Sequence, residues 1–76
     1  MKPEIKEIMR LAKLAPSQKS IAEDYYANLS MNFKNAGEGL FKIKQIMAKY
    51  KLGFKTAYDA AMDPSQLEIL KTMNQK

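Results

Sequence analysis

Apolar residues recur every three or four positions along the whole chain, and no stretch sustains an alternation of apolar with polar. Spacing of that kind gathers side chains on one face of an α-helix, whereas on a strand it would scatter them over both faces. A chain patterned this way buries its apolar surface by packing helices. The residue types agree. There is no valine, there are two threonines, and the six isoleucines (Ile5, Ile8, Ile21, Ile43, Ile46 and Ile69) all fall at helix-compatible spacing. The expected fold class is all-α, a compact bundle of four to five short helices. At 76 residues the chain is too short for two independent cores, so a single domain over residues 1–76 is expected.

Capping and breaking residues divide the pattern. The first helix is expected over Pro3–Ala15, with Pro3 at the first helical position and Glu4 and Glu7 near the positive end of the helix dipole. Ile5, Ile8, Met9 and Ala12 form its stripe, Leu11 and Leu14 widen it, and Pro16 stops it. A second helix begins near Ser17 or Ser20, where Ser20-Ile21-Ala22-Glu23 reads as a capping box. Its stripe is Ala22, Tyr25, Tyr26, Leu29, Phe33 and Ala36. Asn35-Ala36-Gly37-Glu38-Gly39 ends it as a hinge, with Gly37 as a left-handed cap. The third helix runs from Leu40 to Tyr50 with Leu40, Ile43, Ile46, Met47 and Tyr50 on one arc. Phe41 and Ala48 lie behind that arc, which suggests cover on two sides. After Lys51-Leu52-Gly53, a fourth helix spans Phe54–Met62. Asp63 caps a fifth, with Pro64 at its first position and Gln66 at its third. Residues 74–76 are expected to fray.

The missing residue types exclude much chemistry. Without cysteine there is no disulfide and no thiolate metal site. Without histidine the commonest general base and the commonest metal ligand are both gone. Glu23-Asp24 sit where a first helical turn favours acids anyway, and Gly37-Glu38-Gly39 lacks the Lys-Ser/Thr of a phosphate loop. The expectation is a protein that is not an enzyme and needs no cofactor. No apolar run is long enough to span a membrane, and the start is charged and not an apolar signal core, so a cytoplasmic location is expected.

The charge is where a binding function can be read. The chain carries a net +5. Lys2, Lys6, Arg10, Lys13, Lys19 and Lys34 nearly balance Glu4, Glu7, Glu23, Asp24 and Glu38. Residues 42–55, by contrast, hold Lys42, Lys44, Lys49, Lys51 and Lys55 and no acid. Clustered lysines beside Tyr50 and Phe54 suit a polyanion, bound by counterion release with an aromatic ring available for stacking. Lysines flanking an apolar arc also solvate a helix edge with their stems over the core. Both readings stand at this point.

The stretch Ile46-Met47-Ala48-Lys49-Tyr50-Lys51-Leu52-Gly53-Phe54-Lys55-Thr56-Ala57-Tyr58-Asp59-Ala60-Ala61 resembles helix-turn-helix DNA-binding domains. Ile46, Met47 and Tyr50 would face inward from the first helix, Leu52 would plug the turn, and Ala57 and Ala60 would seat the second helix. The sequence departs from the pattern in having Lys51 at the usual turn glycine, with glycine two residues later at Gly53, and Met47 at the usual small alanine. The resemblance implies a small DNA-binding regulator, with DNA a likelier ligand than RNA. Lys55 and Thr56 would contact the ligand from the second helix, while Asp59 and Asp63 would repel phosphate. The candidate nucleic-acid-binding residues are therefore Lys42, Lys44, Lys49, Lys51, Lys55 and Thr56. The alternative is a protein-interaction module or inhibitor, docking a helical face on a larger target or on an acidic protein surface, with apolar exposure around Phe41, Tyr26 or Met31. Homodimerisation would add stability to so small a bundle, and paired DNA readers are usually two-fold.

Overall fold

A computed structural model of the chain describes residues 2–73. It is all-α: α1 (Pro3–Leu11), a 3₁₀ turn (Pro16–Gln18), α2 (Lys19–Asn32), α3 (Ala36–Tyr50), α4 (Phe54–Met62) and α5 (Pro64–Met73). No strand occurs among the described residues. The packing falls into two units that divide between Phe41 and Lys42.

In the first unit, Pro3 opens α1 as expected, with Glu4 in its first turn and Arg10 in its last, and Ile5 and Ile8 are buried. The helix ends at Leu11, short of the expected Ala15. Lys13 takes the left-handed conformation at φ 56°. Its N–H donates to the Arg10 carbonyl at 3.3 Å, and the Leu14 N–H donates to the Met9 carbonyl at 2.9 Å. Those two bonds are the Schellman closure, and they satisfy the last carbonyls before Pro16 is reached. Pro16 therefore opens the next element instead of stopping this one. It begins the 3₁₀ turn, and Gln18 Oε1 accepts the Ala15 N–H at 2.8 Å. Because α2 follows without a break, Ser20 sits inside its first turn and caps nothing. Glu23 pairs instead with Lys19 at 4.0 Å.

α2 buries Ala22 and Leu29. Tyr25 and Tyr26 are both half-buried, and the Lys2 ammonium lies 5.6 Å from the centre of the Tyr26 ring. The helix stops at Asn32, with Phe33 extended at φ −127° and ψ 169°. The expected hinge at 35–39 is in fact the start of α3. Asn35 Oδ1 accepts the Glu38 N–H at 2.8 Å, the N-cap bond that Asn, Asp and Ser make best. Gly37 is helical, and no described glycine has a positive φ. Gly39 is needed for space: a Cβ there would lie 2.8 Å from Leu29 Cδ2 and 2.9 Å from Phe33 Cδ2.

In the second unit, α3 buries Ile43 and Ile46, and α4 buries Phe54, Ala57, Tyr58 and Ala60. The α3 terminus repeats the device that ends α1. Lys51 is left-handed at φ 55°, and the Leu52 N–H donates to the Met47 carbonyl at 3.1 Å. Gly53 is the N-cap of α4 at φ −73° and ψ 170°, an extended conformation open to any residue. The Phe54 and Tyr58 rings stack with centroids 6.1 Å apart. Asp63 begins α5 as expected. Its Oδ1 accepts the Ser65 hydroxyl at 2.7 Å and the Ser65 N–H at 3.0 Å. These bonds favour the ionised form and lower the carboxyl pKa from its ordinary value. The expected fraying of residues 74–76 lies outside the described residues.

α3 is covered on one side, not two. Its buried side chains Ala36, Leu40, Ile43 and Ile46 follow a single face, while Phe41 is 62% exposed and Ala48 is exposed.

Candidate functional site

On α3, Gln45 and Ile46 each stand three or four residues from both Lys42 and Lys49, so the four share one flank. Lys42, Gln45 and Lys49 are exposed, while Ile46 is buried beneath them. In α5, Leu67 and Lys71 stand one turn apart on one face. The two helix faces enclose an open cleft of about 680 Å³ within the second unit. Lys42, Gln45, Lys49 and Lys71 supply its polar lining, and Ile46, Ala48, Tyr50 and Leu67 supply the rest.

Three lysines from two helices thus line one cleft together with apolar and aromatic side chains. The Lys49 ammonium lies 5.5 Å from the Tyr50 ring centre, within cation–π range. Lys71 Nζ lies 3.4 Å from Glu68 Oε2, and both side chains are well exposed at 49% and 71%. An exposed pair of that kind is worth at most about 1 kcal/mol, so it leaves Lys71 able to exchange Glu68 for another anion. Among the described residues no group of three or more His, Cys, Asp or Glu side chains could hold a metal ion, and no helix is long and apolar enough to cross a membrane.

The six residues singled out from the sequence do not form one surface. Lys42 and Lys49 line the cleft. Lys44 projects from the opposite flank of the buried arc of α3, and Lys51 occupies the turn after it. Lys55 and Thr56 are exposed on α4, but Lys55 Nζ is held by both carboxylate oxygens of Asp59, at 2.8 and 3.0 Å, and lies 5.9 Å from the Tyr58 ring centre. Phe54, expected as a stacking partner, is only 4% exposed and packs against Tyr58. No family model, no curated protein and no solved structure matches the chain. The functional reading therefore rests on the cleft itself.

Sequence reasoning missed two polar members of this cleft, Gln45 and Lys71. Gln45 was legible, because it lies between Lys42 and Lys49 at helical spacing. Lys71 was half legible: it follows the half-buried Leu67 by one turn, but nothing in the sequence says that this face of α5 meets that flank of α3.

Proposed function

We propose that this chain is a small, non-enzymatic nucleic-acid-binding regulator that holds the phosphate backbone with Lys42, Lys49 and Lys71. One observation carries this reading: lysines from two separate helices line one concave surface. Lysines serving only to solvate a helix edge have no reason to converge across two elements. The helix-turn-helix resemblance puts the contact on α4, and two observations favour the cleft over it. α4 carries a single lysine, Lys55, and the cleft is lined by three. Four side chains of α4 are also turned into the core, which leaves it few residues to contact a ligand.

Binding of this kind is led by phosphate contacts and tolerant of sequence. Three lysine–phosphate contacts give a slope of log affinity against log salt of about −2 on single strands and about −3 on duplex. Fluorescence anisotropy of labelled oligonucleotides across a salt series reads that slope directly. If no strand, single or double, bound at low salt, the proposal would fail.

A second reading has support of its own in the first unit, where Met31 and Phe41 are 81% and 62% exposed. These side chains suit a protein-interaction module docking an apolar surface on a partner, and that binding would survive high salt.

A further inference from the structure

Taking the nucleic-acid reading as its premise, we propose that the cleft between α3 and α5 seats single-stranded nucleic acid, with phosphates on the lysines and a base against Tyr50. The shape of the site is the first reason. At about 680 Å³ the cleft has room for a small ligand, typically about 300–1,000 Å³, and it is open to solvent. A duplex carries its phosphates on a convex rod and is read by an element that protrudes into a groove. A concave site instead admits an unpaired nucleotide, whose base is free to leave the backbone and stack.

The floor is the second reason. A surface selecting for phosphate alone needs only cations. Here Leu67 and Tyr50, both half-buried, line the cleft with the lysines and present apolar and aromatic area that a phosphate has no use for. A base has both a flat π-face and edges that need partners. Tyr50 is half-buried and offers ring area, and Gln45 offers a donor and an acceptor on the flank shared with Lys42 and Lys49. The Lys49 ammonium is already 5.5 Å from the Tyr50 ring centre. A phosphate drawn to Lys49 therefore arrives beside the ring on which its own base stacks.

Glu68 opposes any anion at the third lysine, since its carboxylate pairs with Lys71 at 3.4 Å. A strand entering the cleft must displace it, so Glu68→Gln should tighten binding of every polyanion, with or without bases.

The test uses the full chain and three labelled probes at low salt: an oligothymidylate, an abasic phosphodiester strand of the same length, and a hairpin duplex. The thymidylate should bind about fivefold or more tighter than the abasic strand, the contribution expected of one stacked base. Tyr50→Leu should abolish that margin while leaving affinity for the abasic strand in place, and Tyr50→Phe should keep the margin because the ring remains. Circular dichroism of each variant establishes that it is folded, and Tyr50→Met, which also removes the ring, should lose the same margin if the Leu variant does not fold. Equal affinity for thymidylate and abasic strand, or a preference for the duplex, would overturn the single-strand inference while leaving phosphate binding intact. Failure of all three probes would overturn the nucleic-acid reading as well.

Discussion

Replacing Lys51 by glycine should make this protein more stable and leave its cleft alone. Lys51 ends α3 at φ 55°, and the Leu52 N–H on the Met47 carbonyl closes the turn around it. A residue with a Cβ gives up about 1–2 kcal/mol in the left-handed conformation. Glycine avoids that cost but adds freedom to the unfolded chain, which returns about 0.4–1 kcal/mol to the other side. The balance favours Lys51→Gly by about 0.5–1 kcal/mol, or a rise of about 2–8 °C in melting temperature for a domain of this size. Gly53→Ala is the natural control. Gly53 stands at φ −73°, and a Cβ there would meet nothing within 4 Å. Losing a mild N-cap preference and gaining unfolded-state rigidity should offset each other to within about 0.5 kcal/mol. Thermal unfolding followed by far-ultraviolet circular dichroism measures both variants. If Lys51→Gly melted lower than the parent, or Gly53→Ala lost several degrees, the assignment of the left-handed turn to Lys51 would be wrong. Because Lys51 lies outside the cleft, its replacement should change oligonucleotide affinity little.

Gly39→Ala should destabilise the chain by about 1–2 kcal/mol despite alanine's better helix propensity, since the added methyl would press on the buried Leu29; denaturant titration reads the loss. Asn35→Ala should cost about 1 kcal/mol by leaving the Glu38 N–H without its acceptor, with Asn35→Asp or Asn35→Ser largely restoring it. Asp63 makes the start of α5 pH-sensitive. Its carboxyl pKa is lowered in the folded chain by Ser65, so its stabilisation is complete above the unfolded value of 3.8 and is lost as pH falls through the lower folded value. Circular dichroism through an acid titration should show the loss below about pH 4, and Asp63→Asn should remove that component of the titration; an unchanged profile would contradict it.

Much of the helical framework was legible because single residues commit to single roles. Pro3 opens α1, Asp63 and Pro64 open α5, and α4 spans the residues that its stripe required. The misjudged boundaries have separate causes: α1 ends before Pro16 because Lys13 takes the left-handed conformation, α2 is entered through the 3₁₀ turn at Pro16 and not capped at Ser20, and Gly37 lies within α3 and ends nothing. The left-handed conformation expected of glycine falls on lysine, at Lys13 and Lys51. The glycines do other work: Gly39 makes room against Leu29, and Gly53 caps an extended entry. A signal was present nonetheless. Met9-Arg10-Leu11-Ala12-Lys13-Leu14 and Met47-Ala48-Lys49-Tyr50-Lys51-Leu52 share Met, Lys and Leu at matching positions, and each closes its helix with the leucine N–H on the methionine carbonyl. Both methionines and both leucines are half-buried, as fits the apolar pair that accompanies a Schellman end. The cleft was less legible than the helices. Helical spacing puts Lys42 with Lys49 and apart from Lys44, but which helix faces them is decided by tertiary packing.

A comparison of two triple variants bears most directly on the site. Lys42, Lys49 and Lys71 changed to glutamine remove three charges from the cleft. Lys44, Lys51 and Lys55 changed to glutamine remove three from elsewhere, and either set takes the net charge from +5 to +2. With an oligothymidylate probe, the cleft variant should lose affinity and its salt slope should flatten by about 2. The other variant should keep both. Equal losses from the two sets would mean that net charge alone attracts the strand, and undiminished binding by the cleft variant would mean that the strand binds elsewhere.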